Sequence, residues 1–254
     1  MTIDYVASMG NFAFRYVTHS DPVSIIQLMD EEEIDFALVS SLESIMYRNV
    51  QKGNELLAER ISKYRDRLIP AAVINPIYPK AVEDTLCCLE NLGMKAIRLY
   101  PNYHGYDLTD LGVASVVSVA QERTIPVSIA FRVEDERQRH WLVNPPPVSA
   151  DTVLSLIKAF PEVHFVLERA SYNELNRLIR SAPRIENWSA ETSGRFLSGL
   201  KQILDAIGSD RVVLGTDMPL QYSKVAILKL ESLGLDGASR EKIMMRNAAR
   251  LLKL

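Results

Sequence analysis

The side chains able to do chemistry gather at the ends of short apolar runs. AIRLYPN carries Arg98, Tyr100 and Asn102, PVSIAFR ends on Arg132, HFVLERA holds Glu168 and Arg169, and ENWSAET holds Glu191. RVVLGTDMP brings Asp217 to the end of the last run, with Pro219 just behind it. Two carboxylates held close push one pKa upward, which would make an acid and a base of Asp217 and Glu191; pairing with arginine would do the reverse. Arg98 and Arg132 lie on neighbouring runs and point the same way by strand period. They form a two-pronged clamp for a carboxylate or phosphate, or else they pair internally with Glu191, Glu134 or Asp217.

Two loops extend this set. YPNYHGYD, residues 100 to 107, concentrates Tyr100, Asn102, Tyr103 and His104. It reads either as a pocket wall that stacks on a ligand and hydrogen-bonds it, or as a packed surface loop. RVEDERQRHW, residues 132 to 141, includes Arg132 and His140 and reads as a rim over a site or as a solvated charged run. No Gly-x-Ser-x-Gly turn occurs, so nothing supports covalent serine hydrolysis.

Those residues need elements to bring them together. Eight runs rich in β-branched residues, at 2 to 8, 35 to 41, 67 to 75, 96 to 102, 126 to 132, 164 to 170, 186 to 192 and 211 to 217, read as strands. Between them stand segments of helical period such as DPVSIIQLMDEE, GNELLAERISKY and SADTVLSLIKAF, several with Asp or Ser near the start as a cap. Eight βα units in 254 residues predict a single-domain (β/α)8 TIM barrel over 1–254. A doubly wound open sheet is the alternative, but no glycine-rich phosphate turn follows the first strand. In a barrel the C-terminal ends of the strands form one mouth, so the candidates above converge there.

Composition narrows the partners. The formal net charge is −3 with both signs interspersed, which gives no footprint for a nucleic acid or an anionic membrane. No apolar run reaches the roughly 20 residues of a membrane helix, and MTIDYVASMG lacks the pattern of a signal peptide. A cytoplasmic protein with a small, anionic substrate is expected, and a homo-oligomer stays open. Cys87 and Cys88 are adjacent, a spacing that suits neither an ordinary disulfide nor a metal clip, so both are expected reduced.

Three stretches resemble one family. IDYVASMGNF is similar to an IDxHxHxG first strand, VVLGTDMP to a closing Gly-Ser/Thr-Asp-x-Pro strand, and KIMMRNAARLLKL to a final helix with Asn-Ala-x-Arg-Leu. Together they resemble the amidohydrolase-related barrels with aminocarboxymuconate-semialdehyde-decarboxylase-like members, described as metal-dependent hydrolases. The resemblance implies zinc or another divalent metal at the mouth. It also implies where the ligands should stand, and there the chain departs: the two histidines of the first strand fall on Val6 and Ser8, that of the fifth on Ala130, and that of the sixth on Arg169. Only Asp217 remains of the set. A catalytic zinc wants three protein ligands, so no cofactor is expected at the usual place.

The chain has four histidines. His164 begins a strand, at the end of the barrel away from the chemistry. His19, His104 and His140 lie in loops on the side of Asp217, which leaves a displaced metal site open although none shows ligand spacing with another. The reading that follows is an amidohydrolase-like enzyme that hydrolyses or decarboxylates a small carboxylated or cyclic substrate. Asp217 would serve as base, and Arg98, Arg132 and Arg169 would meet the anion. The alternative is a catalytically inactive member with a ligand-binding or regulatory role.

Overall fold

The computed structural model describes all 254 residues. Eight strands pair in parallel and in chain order: β1 (Ile3–Met9), β2 (Phe36–Ser41), β3 (Leu68–Val73), β4 (Ala96–Leu99), β5 (Val127–Ala130), β6 (Phe165–Glu168), β7 (Trp188–Glu191) and β8 (Val212–Val213). The seam between β1 and the last strand is bonded by Tyr5 N–H to Leu214 O at 2.8 Å, Asp217 N–H to Val6 O at 2.7 Å and Ser8 N–H to Met218 O at 2.9 Å. The architecture is a single-domain (β/α)8 barrel, as the alternation of runs predicts.

Helices follow local rules. Pro22–Glu31 starts on Asp21, whose carboxylate accepts from Val23 and Ser24 N–H, and buries Ile25 and Met29. Ala150–Ala159 starts on Ser149, and Tyr172–Ser181 on a capping box of Ser171 with Glu174. These termini all open towards the mouth, because each helix runs back antiparallel to the strand before it.

From the third onward the expected strands overrun the observed ones at their C-terminal ends, and the reasons are local. Pro101 turns the chain after Tyr100 into a helical turn, Pro101–His104. Beyond β8 the backbone is held by side chains instead of a ladder. Thr192 Oγ1 donates to Gly215 O at 2.9 Å and accepts from Gly215 N–H at 3.0 Å, and Asp4 accepts from Thr216 N–H at 3.0 Å and Thr216 Oγ1 at 2.5 Å.

The core divides by layer. The largest apolar cluster lies between strands and helices, and a second fills the barrel floor with Ile3, Tyr5, Leu38, Ile69, Val166 and Val213, over which Ala248 and Leu252 of the final helix pack. A third sits in the mouth: Phe12, Val17, Leu42, Tyr100, Val133 and Leu220, joined by Ala130 from the end of β5. The candidate site lies against that third cluster. No helix is long and apolar enough to cross a membrane.

Candidate functional site

Arg98 is fully engaged inside the barrel. Its side chain points from β4 into the barrel, fully buried, and Nη1 donates to Ala7 O at 2.6 Å and Ser40 Oγ at 2.7 Å, while Nη2 donates to Tyr5 O at 2.7 Å and Leu38 O at 3.1 Å. Its Nε faces Glu168 Oε1 at 3.0 Å. The reason lies in the β1–β2 register, which shifts between Asp4 and Ala7. Arg98 takes up carbonyls at this break, and Asp4 takes the Val6 N–H at 3.0 Å. Burial raises the pKa of Glu168, with the Arg98 charge opposing.

Arg132 is equally engaged. It grips Glu174 with two bonds, at 2.8 and 3.0 Å, and also donates to Arg169 O. The expected clamp of Arg98 with Arg132 therefore does not form: one guanidinium mends the barrel interior and the other is tied to the first turn of a helix. The internal partners are Glu168 and Glu174, not the carboxylates named from the sequence.

Arg169 is the cation that stays at the mouth. It follows β6 with φ +53° and pairs with the carboxylate of Asp217, itself at φ +60°. Both side chains are about 95% buried, at 4% and 5% exposure. With its amide oxygen turned inward, Gln221 accepts from Arg169 Nη1 at 2.7 Å and Nη2 at 2.9 Å. Burial pulls the Arg169 pKa down to about 10, with Glu191 the main influence in the other direction. Its Nε has no acceptor.

Asp217 and Glu191 do not pair with one another. Glu191 Oε1 accepts from Arg169 N–H at 2.7 Å and from Arg195 Nη1 at 3.2 Å, and Oε2 accepts from Ser193 N–H. Both oxygens are occupied. The two acids meet only through Arg169, whose backbone binds one and whose side chain binds the other.

The tyrosine-rich loop is mostly packed. Tyr100 is buried in the mouth cluster with its pKa pushed up to about 12 by burial, and Asn102 Nδ2 donates to Phe131 O at 3.1 Å. His104 is half-buried with Nε2 3.3 Å from Ser44 O, and desolvation lowers its pKa. Tyr103 is the member that reaches the site: its hydroxyl has no partner, and burial and Glu134 push its pKa up to about 12. In the following loop Glu134 is buried with its pKa raised by burial against Arg15, Arg139 and Arg169. His140 stacks on Trp141, 5.7 Å between ring centroids.

Sequence reasoning overlooked Glu134 as an acid in its own right, along with Gln221, Arg195 and Lys229. Glu134 alone carried a signal, since it stands two residues past Arg132 on the same expected face. His19 lines a cleft of about 770 Å³ with Arg15, Tyr16, Gln221 and Tyr222. The three loop histidines thus have separate neighbourhoods, and no three His, Cys, Asp or Glu side chains gather as a metal-holding group. His164 bonds Ser189 Oγ at 2.8 Å just ahead of β6. Cys87 and Cys88 are both free.

At the family's metal position the donors are few. Around Asp217 the neighbours are Arg169, which is cationic, Val6, whose carbonyl takes the Asp217 N–H, and the buried Ser8, while Ala130 belongs to the apolar cluster.

The amidohydrolase family model matches residues 26–254, and the chain belongs to that family. Solved structures agree on the fold. A 5-carboxyvanillate decarboxylase from Sphingomonas paucimobilis aligns over 100% of this chain and 99% of its own, with 14% identity and a TM-score of 0.75. A dihydroxybenzoic acid decarboxylase from Polaromonas, solved with bound manganese, aligns over 100% and 97% at 18% identity and a TM-score of 0.75. A 4-oxalomesaconate hydratase from Rhodopseudomonas palustris aligns over 100% and 96% at 18% identity and a TM-score of 0.72.

Proposed function

We propose that this chain binds a small carboxylated molecule, aromatic by preference, at the Arg169–Asp217 pair and hydrolyses or decarboxylates it without a metal. One observation carries this reading: a buried guanidinium, paired with the strand-end aspartate, stands where the family's cation would need its ligands. A divalent ion there would meet a positive charge, a valine and an alanine, and that donor set does not fit it. Relatives named for aromatic carboxylates support the substrate class, as do the apolar and aromatic walls of the mouth.

The chemistry follows from exchange at Arg169. An incoming carboxylate can replace Asp217 on the guanidinium, and Asp217, freed from its counter-charge, becomes a stronger base. Glu134, holding its proton to higher pH than an ordinary glutamate, serves as the acid. In decarboxylation the carbon–carbon bond breaks, CO₂ leaves, and the electron pair left on carbon takes the Glu134 proton. In hydrolysis Asp217 takes a proton from water as its oxygen adds to the carbonyl, and the bond to the leaving group then breaks as that group takes the Glu134 proton.

A second reading, a silent ligand-binding barrel, is favoured by Glu191, whose two oxygens are fully engaged. Incubating the protein with benzoate and dihydroxybenzoates in EDTA, with product analysis and calorimetry in parallel, tests both. Turnover that survives EDTA and disappears in Arg169→Gln is expected. Binding without turnover would move the conclusion to the second reading, and turnover lost to EDTA and restored by manganese would overturn the metal-free one.

A further inference from the structure

The wall formed by the β6 and β7 ends holds more positive charge than it neutralises. Arg132 is matched by Glu174, Arg169 by Asp217 and Arg195 by Glu191. Lys229 is the fourth cation and reaches only carbonyls, Thr192 O at 2.7 Å and Arg195 O at 3.2 Å. Arg195, whose side chain is 3% exposed, uses a single nitrogen: Nη1 goes to Glu191 and Ser193 O, while Nε and Nη2 have no acceptor. Arg169 Nε is likewise bare. Buried guanidinium N–H groups without acceptors are costly, so this wall lacks an anion.

The loop over it is built for close approach. Gly194 takes φ +63°, and a Cβ there would lie 3.6 Å from the Arg169 guanidinium carbon, so the chain lies directly on that cation. Phe196, at the end of the loop, is 78% exposed, and the following helix, Leu197–Ile207, starts without a side-chain cap.

We propose that the loop of residues 193 to 196 covers a second anion subsite, in which Arg195, with Lys229 behind it, takes an oxyanion group while Arg169 takes the first carboxylate. This rests on the metal-free, carboxylate-binding reading of the mouth and sharpens it: the preferred ligand carries two anionic groups. The oxyanion is either a second carboxylate of the substrate or free inorganic phosphate.

Calorimetry with benzoate, isophthalate and inorganic phosphate, on the wild type, Arg195→Gln and Lys229→Gln, separates the outcomes. Isophthalate should bind about tenfold more tightly than benzoate, the scale of one added charge-assisted hydrogen bond. Arg195→Gln should erase that preference and leave benzoate affinity unchanged; Lys229→Gln should reduce it. Phosphate that binds the wild type, weakens isophthalate but not benzoate, and fails on Arg195→Gln supports the subsite with free phosphate as its occupant. Equal affinity for benzoate and isophthalate, with no phosphate binding, overturns the inference and leaves the reading of the mouth intact. No binding of either carboxylate overturns that reading itself. If Arg195→Gln does not fold, Arg195→Lys, which keeps the charge and loses the fork, should still lower the preference, and an unchanged preference overturns the subsite.

Discussion

Arg169 and Asp217 face one another with both backbones in the left-handed region, which residues other than glycine enter at some cost. That makes Asp217→Asn an informative change, because asparagine tolerates the same backbone and only the charge is lost. The Arg169 guanidinium would then be buried without its counter-ion, and urea denaturation should show a loss of about 3–5 kcal/mol. Adding Arg169→Gln to it should recover part of that loss, since the stranded charge goes too. A single variant as stable as the parent would contradict the pairing. The partners of this aspartate were half legible: residue type and strand period put both residues at one mouth. Arg98 was not legible, because its acceptors are carbonyls released by a register shift on β1, and no residue type announces such a shift.

At the scale of elements, Glu174 joins a helix cap to the rim. It accepts from Ser171 N–H at 2.6 Å, closes the capping box and receives both prongs of Arg132. Glu174→Ala should therefore cost about 1–2 kcal/mol in thermal or chemical denaturation, through the cap and the lost ion pair together. Helical content should change little by circular dichroism, and a loss below about 0.5 kcal/mol would show that the rim does not depend on it. All eight strands were recognisable, most of them as nearly continuous apolar runs, because parallel strands buried on both faces leave that trace. Their ends were not, because Pro101 and the side chains of Thr192 and Asp4 decide where pairing stops.

For the whole molecule, buried titratable groups set opposing pH dependences. Burial raises the Asp4 pKa to about 7, so between its unfolded value of about 3.9 and 7 the native state binds the extra proton, and stability falls as pH rises. His164, lowered by burial to about 4, behaves oppositely: the unfolded chain binds the proton below about 6.5, and stability falls as pH drops from there to 4. His164→Gln, which keeps a partner for Ser189, should flatten the acid limb by up to about 3 kcal/mol across that window. Denaturation series at pH 4.5 and 6.5 on both proteins measure the difference. Equal slopes would mean that the imidazole is solvated in the native state.

The ion pair at the mouth also bears on what this barrel could become. A histidine introduced singly at Val6, Ser8 or Ala130 would face a guanidinium already seated on Asp217 and would find no ion to bind. Arg169→His alone would remove the counter-charge of a buried carboxylate. Each lone step towards a transition-metal centre either gains nothing or loses stability, and only several taken together reach a competent ligand set. The fixed cation thus works as a ratchet: no sequence one substitution away carries a competent ligand set.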